Sequence, residues 1–256
     1  MSTFHAFILG IVEGISEFLP ISSTGHLILT SRILGIIQTE FVKTFEIAIQ
    51  LGAILSVVVL YWKRFLLNIE ALKRICVAFL PTAVIGLILY KIVKKFLLGN
   101  SSVVVWSLFL GGLFLIVFEL FHREKKDSVS AIESISYKQA ALIGVFQALA
   151  VIPGVSRSAA TIIGGLILGL RRDTIVEFSF LLAVPTMLAA TILDLCKSAN
   201  AFTKDQFTLL GIGFITSFVV AIFAIKFLIG YIKRHNFIPF GIYRIIIALS
   251  FLFFHR

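Results

Sequence analysis

Glu13 and Glu17 stand four residues apart, so on a helix both carboxylates project from one face. Adjacent carboxylates repel, which either leaves one of them protonated or calls for a cation between them. Such a pair can hold a divalent metal through oxygen or do acid–base work, and a pair of helix charges facing lipid headgroups is the plainer alternative. Immediately after it, Pro20-Ile21-Ser22-Ser23-Thr24-Gly25-His26 packs three hydroxyls and an imidazole into seven residues. The hydroxyls suit the cap of a following helix, whose free N–H groups and dipole attract anions. His26 can serve as nucleophile or as proton donor and acceptor, or simply as a hydrogen-bonded packing residue. A second constellation is Pro153-Gly154-Val155-Ser156-Arg157-Ser158-Ala159-Ala160-Thr161. A guanidinium between two serines at the start of an apolar run makes a fork of donors that matches phosphate oxygens. A buried structural ion pair of Arg157 with Glu13 or Glu17 is the other reading. Taken together, the two constellations predict a phosphate-binding site with a carboxylate pair attached.

The elements that must position these residues are apolar. Of 256 residues, 59% are hydrophobic and only 14% charged, 26 are Phe, and the mean hydropathy is +1.06. Soluble domains average about 45–50% apolar and about 25% charged, so a water-soluble globule is excluded, and disorder with it. The net charge of +10 comes from Lys and Arg placed mostly in short loops between apolar runs. That placement addresses anionic lipid and orientation in a bilayer, and no nucleic acid is expected as partner. Cys76 and Cys196 lack metal-type spacing and read as small buried hydrophobes. The N-terminus has no positive n-region and reads as retained.

Six stretches, 44–62, 75–93, 103–121, 176–196, 207–230 and 238–254, are expected to cross a bilayer as helices, since about 20 apolar residues suffice. Two further regions, 4–36 and 139–170, are interrupted at Leu19–His26 and Pro153–Ser158, and read as broken or re-entrant helical hairpins. Ile8–Gly14 can be laid on Leu142–Ala148 at an offset of 134 positions, and Phe45–Ile49 on Phe178–Leu182 at 133. The predicted fold class is therefore all-α and polytopic: six full spans plus two broken hairpins, arranged as an inverted repeat. Repeat one is 1–121, a cytoplasmic linker follows at 122–138, and repeat two is 139–256, together one transmembrane domain. Three spans per repeat turn the second copy upside down, so the hairpins enter from opposite faces and their tips meet at the midplane. Lys and Arg number twelve on the side that holds the linker, against seven on the other. Both termini are then expected outside the cytoplasm. Glu119, Glu177, Asp194 and Arg244, near predicted span ends, read as snorkelling charges. Glu46 and Gln50 read as supporting partners of the site or as headgroup-facing, and Pro81 and Pro185 as kinks or span starts.

Glu13-Gly-Ile-Ser-Glu17-Phe-Leu-Pro20-Ile-Ser22-Ser23-Thr24-Gly25-His26 and Pro153-Gly154-Val-Ser156-Arg157-Ser158-x-x-Thr161 resemble the two signature motifs of the bacterial undecaprenyl-diphosphate phosphatases of the bacitracin-resistance type. Phe45-Glu46-x-x-Ile49-Gln50-Leu51-Gly52 and Phe178–Leu182 are similar to that family too. The resemblance implies a multi-pass hydrolase of the bacterial inner or plasma membrane, reached from the extracytoplasmic side. Its substrate would be a polyprenyl diphosphate lipid, and its product the carrier lipid for peptidoglycan synthesis, hence bacitracin resistance. It also implies a divalent metal, Mg²⁺ or Ca²⁺. Carried over by position, the catalytic set is Glu13, Glu17, His26 and Arg157, with Glu13 and Glu17 as metal ligands. The substrate-binding set is Ser22, Ser23, Thr24, Ser156, Ser158 and Thr161. Water, a serine and His26 all stay open as nucleophile, and a homodimer is compatible with the sequence. Two competitors remain: a transporter or flippase for a polyprenyl phosphate, and a phosphatidic-acid-type phosphatase. The latter needs a His six residues after its Arg, where this chain has Ile163.

Overall fold

Backbone N–H and C=O groups find no water inside a bilayer, so long apolar runs close their hydrogen bonds within helices. The computed structural model describes residues 1–93, 97, 100–124, 127–195 and 203–254. Among the described residues the helices are α1 (Thr3–Ser16), α2 (Ser23–Ile33), α3 (Glu40–Leu60), α4 (Trp62–Leu67), α5 (Ile69–Ile92) and α6 (Ser101–Phe121) in the first half. The second half holds α7 (Tyr137–Ala148), α8 (Arg157–Ile167), α9 (Arg172–Leu195), α10 (Lys204–Ile232) and α11 (Ile238–Phe254). Extended pairing is confined, among the described residues, to one bridge between Val129 and Leu170. Among the described residues five helices, lying within α3, α5, α6, α9 and α10, are long and apolar enough to cross a membrane, and the chain is a multi-pass helical membrane protein. The sixth expected span, 238–254, forms a helix of 17 residues. At 1.5 Å per residue it reaches about 25 Å, short of a hydrocarbon core of about 30 Å. Cys196, Lys94, Lys95, Lys125, Lys126, Lys197 and Arg256 lie outside the described residues.

Close helix contact is made possible by glycine. α1 lies along α10, α10 along α3, α5 along α7, and α6 along α11. A Cβ on Gly10 would come within 2.8 Å of the Gly213 carbonyl oxygen, and one on Gly144 within 1.9 Å of the Ala78 carbonyl oxygen. Small residues let backbones approach where lipid offers no hydrophobic drive between helices. The interior is filled by Phe18, Phe45, Phe178, Phe180 and Phe237, all fully buried. Leu87, Ile88, Leu110, Phe114, Phe223 and Phe227 stand exposed on the outside, as a lipid-facing belt requires.

Four readings of single residues are corrected. Cys76 is exposed on the outer face of α5, because in a membrane protein an apolar stretch has an outward face as well. Glu119 does not snorkel: it is buried, both its oxygens accept from the Arg172 guanidinium, and one also accepts the Phe237 N–H at 3.1 Å. Glu177 pairs with Arg64 at 3.0 Å, and Arg64 also reaches Glu133 at 2.9 Å. The fourth, Arg244, is fully buried in the interior. Asp194 is not placed among the described side chains. Pro81 and Pro185 sit inside α5 and α9.

Gly144 and Gly86 give a direct test of this packing, since nothing lies within 4 Å of a Cβ on Gly86. Gly144→Ala is expected to destabilise the detergent-solubilised protein by about 1–3 kcal/mol through forced separation of α5 and α7. Gly86→Ala should be neutral or slightly stabilising, by up to about 1 kcal/mol. Thermal unfolding of the two variants side by side is the measurement.

Candidate active site

Both helix pairs, α1–α2 and α7–α8, break at a turn, and the second helix of each starts from a serine in a strained conformation. Ser22 (φ 75°) and Ser156 (φ 77°) are the non-glycine residues with positive φ among those described. Such backbone costs about 1–3 kcal/mol and persists where surroundings over-determine it. Here each serine caps its helix, Ser22 Oγ accepting from Gly25 N–H and Ser156 Oγ from Ala159 N–H, both at 3.3 Å. The two turns lie 134 positions apart, the offset of the sequence likeness.

The turns touch one another. Arg157 Nη2, from the second turn, donates to Glu17 Oε1 at 2.8 Å and to the Glu17 carbonyl at 3.3 Å. Its Nη1 donates to the Ser179 carbonyl at 3.0 Å, its guanidinium sits over the Phe18 ring, and its Nε is buried with no hydrogen-bond partner. The other oxygen of Glu17, Oε2, accepts from Ser23 Oγ at 2.5 Å. A hydroxyl, a carboxylate and a guanidinium therefore stand in line at the start of α2. The buried ion pair that the sequence left as an alternative to phosphate binding does form, with Glu17 as its acid.

The remaining residues surround that line. His26 Nδ1 lies 2.7 Å from the Ser22 carbonyl and Nε2 2.9 Å from Tyr243 Oη, the two rings stacked at 7°. A carbonyl only accepts, so the proton is on Nδ1, and a neutral imidazole takes the Tyr243 O–H at Nε2. Thr24 is half-buried. Ser156 and Ser158 exchange a hydrogen bond at 3.1 Å, and Ser158 Oγ also reaches the Leu19 carbonyl at 2.8 Å, across to the first turn. Thr161 is fully buried under the tip, bonded to the Arg157 and Ser158 carbonyls and to Ser179 Oγ. Glu46 accepts from Ser31 and Gln38, outside the line.

Glu13 is fully buried, no N–H or hydroxyl donates to either of its oxygens, and the Glu17 carboxyl lies beside it. Its charged neighbours are Glu17, Glu46 and Arg157. No cluster of three or more His, Cys, Asp or Glu capable of holding a metal occurs among the described residues. A hard cation such as Mg²⁺ nonetheless needs only one or two carboxylates when phosphate oxygens and water complete its shell. Two unengaged carboxylate oxygens beside a phosphate-type cradle fit that donor set.

Sequence reasoning missed Tyr243, Ser179 and Arg244. Arg244 donates to the Pro20 carbonyl of the first turn at 3.3 Å and to the Gly154 carbonyl of the second at 2.8 Å. The available signal was a charge seven residues into the apolar run that begins at Ile238.

A family model described as bacitracin resistance protein BacA matches residues 6–250. A relative from Sulfurihydrogenibium sp. (strain YO3AOP1) is 55% identical over 251 residues, 98% of each chain. One from Aquifex aeolicus is 54% identical over 254 residues, 99% of each chain, and one from Wolinella succinogenes is 52% identical over 254 residues, 99% of this chain and 98% of its own. All three carry the name undecaprenyl-diphosphatase. With nearly its whole length matched and its two motif turns joined into one site, this chain belongs to the bacitracin resistance protein BacA family.

Proposed function

We propose that this protein hydrolyses undecaprenyl diphosphate to undecaprenyl phosphate and inorganic phosphate in the bacterial inner or plasma membrane. In doing so it recycles the carrier lipid for cell-wall synthesis and confers bacitracin resistance. The observation that carries the reading is the line Ser23–Glu17–Arg157, read with the shared name of the relatives. A hydroxyl bonded to a carboxylate is an activated nucleophile, and a guanidinium beside it with a free buried Nε is a phosphate donor.

Ser23 Oγ attacks the terminal phosphorus while its proton passes to Glu17 Oε2. The bond from phosphorus to the bridging oxygen breaks, and its electron pair leaves with undecaprenyl phosphate. Water then attacks the phosphoserine, Ser23 Oγ departs with the proton held by Glu17, and inorganic phosphate carries both hydrogens of the water. Arg157 and the N–H groups at the starts of α2 and α8 stabilise charge on the transferring group. Ser22, Thr24 and Ser156 orient its oxygens, while Ser158 and Thr161 hold the second tip in place from below. His26 accepts the Tyr243 O–H at Nε2 and so holds that phenol beside the start of α2. A bound Mg²⁺ or Ca²⁺ would neutralise diphosphate charge, held by Glu13 with Glu17 beside it. The prenyl chain stays against the apolar exterior, so the lipid need not leave the bilayer.

The architecture that goes with this reading is an inverted repeat within one transmembrane domain, 1–121 and 139–256 about the linker 122–138. α11, at 17 residues, would be the sixth and shortest span, and the two hairpins would enter from opposite faces. Supporting it, α1 packs on α10 of the other half while α7 packs on α5, a reciprocal exchange. Gly10 and Gly144 make the close contact in each case, and Ser22 and Ser156 share their unusual backbone. The arginine-rich linker side would be cytoplasmic and the site open to the outside.

Phosphate release by the purified protein on undecaprenyl diphosphate tests the function. Release should stop with chelator and return with Mg²⁺ or Ca²⁺. Arg157→Ala, Glu17→Gln and Ser23→Ala should each lower kcat by about 10²-fold or more. An Arg157→Ala variant with full activity would remove the proposed site, and no release from folded wild type would favour the lipid flippase. Glu13→Gln should instead raise the Mg²⁺ concentration for half-maximal rate by about tenfold or more. An unchanged metal requirement would take Glu13 out of the cation site.

A further inference from the structure

A cation deep in a membrane protein normally finds a carboxylate. Arg244 is fully buried, and its five hydrogen bonds all run to backbone carbonyls. Nη1 donates to Pro20 at 3.3 Å and Val155 at 3.1 Å, and Nη2 to Gly154 at 2.8 Å and Ser107 at 3.1 Å. Nε donates to Leu108 at 3.4 Å. Guanidinium has five N–H donors in a fixed fork, so its whole capacity is spent on three segments: the first turn, the second turn and α6. The surroundings are shaped for it. A Cβ on Gly111 would lie 2.2 Å from Arg244 Nη2, and one on Gly112 3.1 Å from Arg244 Cβ. The neighbouring residue on α11, Tyr243, bonds His26.

We propose that Arg244 is a positioning residue: its guanidinium sets the distance between the two turns and thereby holds Arg157 of one on Glu17 and Ser23 of the other. The claim about catalysis rests on the site reading above; the claim about turn spacing does not. Charge alone is not the requirement. A rigid planar fork reaching carbonyls from both turns at once fixes their separation, which a point charge on a flexible stem does poorly.

The experiment compares Arg244→Met, Arg244→Lys and Gly111→Ala, each alone and combined with Arg157→Ala, for phosphate release, gel-filtration profile and thermal unfolding. Misplacement by about 1 Å costs about 10²-fold in rate, so folded Arg244→Met should lose about that much in kcat. Arg244→Lys should recover part of it, and Gly111→Ala should lose activity with the arginine still present. Arg157→Ala should then cost less than about threefold in the Arg244→Met background, because groups acting as a unit are non-additive. Additive losses, or full activity in folded Arg244→Met, would reduce Arg244 to scaffold and overturn the proposal. If Arg244→Met does not fold, the same cycle with Gly111→Ala decides. Independently of activity, spin labels at the exposed positions Ile15 and Ile152, with Cys76 and Cys196 replaced by Ser, read the spacing of the two turns. A broader or longer distance in the Arg244 and Gly111 variants supports the proposal, and an unchanged one overturns it. Wild type inactive on the diphosphate would sink the site reading while leaving this distance test standing.

Discussion

Two chain reversals sit inside a bundle of apolar helices, and every polar backbone atom in them must find a partner there. That constraint orders the whole interior. A helix satisfies its own backbone, but a turn exposes carbonyls and N–H groups that cost several kcal/mol each, of order, if left alone in a lipid-like medium. The partners are specific side chains. Ser22 and Ser156 cap the N–H groups of α2 and α8, His26 takes the Ser22 carbonyl, and Ser158 takes the Leu19 carbonyl. Arg157 takes the Glu17 carbonyl, and Arg244 takes those of Pro20, Gly154 and Val155. The groups that make the turns tolerable in a membrane are largely the groups able to handle a phosphate.

The two halves solve the same packing problem with opposite chemistry. Position for position at the 134 offset, Glu13 corresponds to Gln147 and Ser23 to Arg157. Gln147 is buried, and its amide donates to the hydroxyls of Thr82 and Thr186, a neutral arrangement that ties α7 to α5 and α9. Glu13 in the same place is a carboxylate without a donor. One tip therefore carries acids and a hydroxyl, the other a guanidinium, and neither is a complete phosphoryl-transfer site alone. Contact between the tips supplies complementary charge, and the Arg157–Glu17 pair is that contact. A buried pair of this kind contributes little net stability against its desolvation, which leaves it free to rearrange around an anion.

Much of this was legible because charge is rare in apolar sequence. Glu13, Glu17, His26 and Arg157 stood out against Leu, Ile and Phe, and proline with hydroxyls marked both turns. What could not be read was the direction in which a side chain faces. Glu119 and Arg244 looked like residues near span ends, yet both point inward to backbone or guanidinium partners. Cys76 looked buried and faces out, since an apolar helix on the rim of a bundle is apolar on both faces. The stretch 238–254 has the hydropathy of a span and lacks one turn of its length. Thr161 and Ser158 shared a motif with Arg157, but helix geometry sends them beneath the tip, where they bond Ser179 and Leu19.

A saturated interior also makes its few unsatisfied atoms informative. Of six buried side-chain atoms without a hydrogen-bond partner among the described residues, three belong to Glu13 and Arg157, on facing tips. Buried unsatisfied groups in native proteins call for a reason, because each lowers stability by about 1–3 kcal/mol. A phosphate would complete Arg157 at Nε, and a cation would complete Glu13 at both oxygens. The two needs are complementary, since the cation and the anion that meet them attract each other. In the proposed reading, Arg244 holds the supports of this donor and acceptor pair in register, and their binding energy goes to a charged diphosphate and its counter-ion.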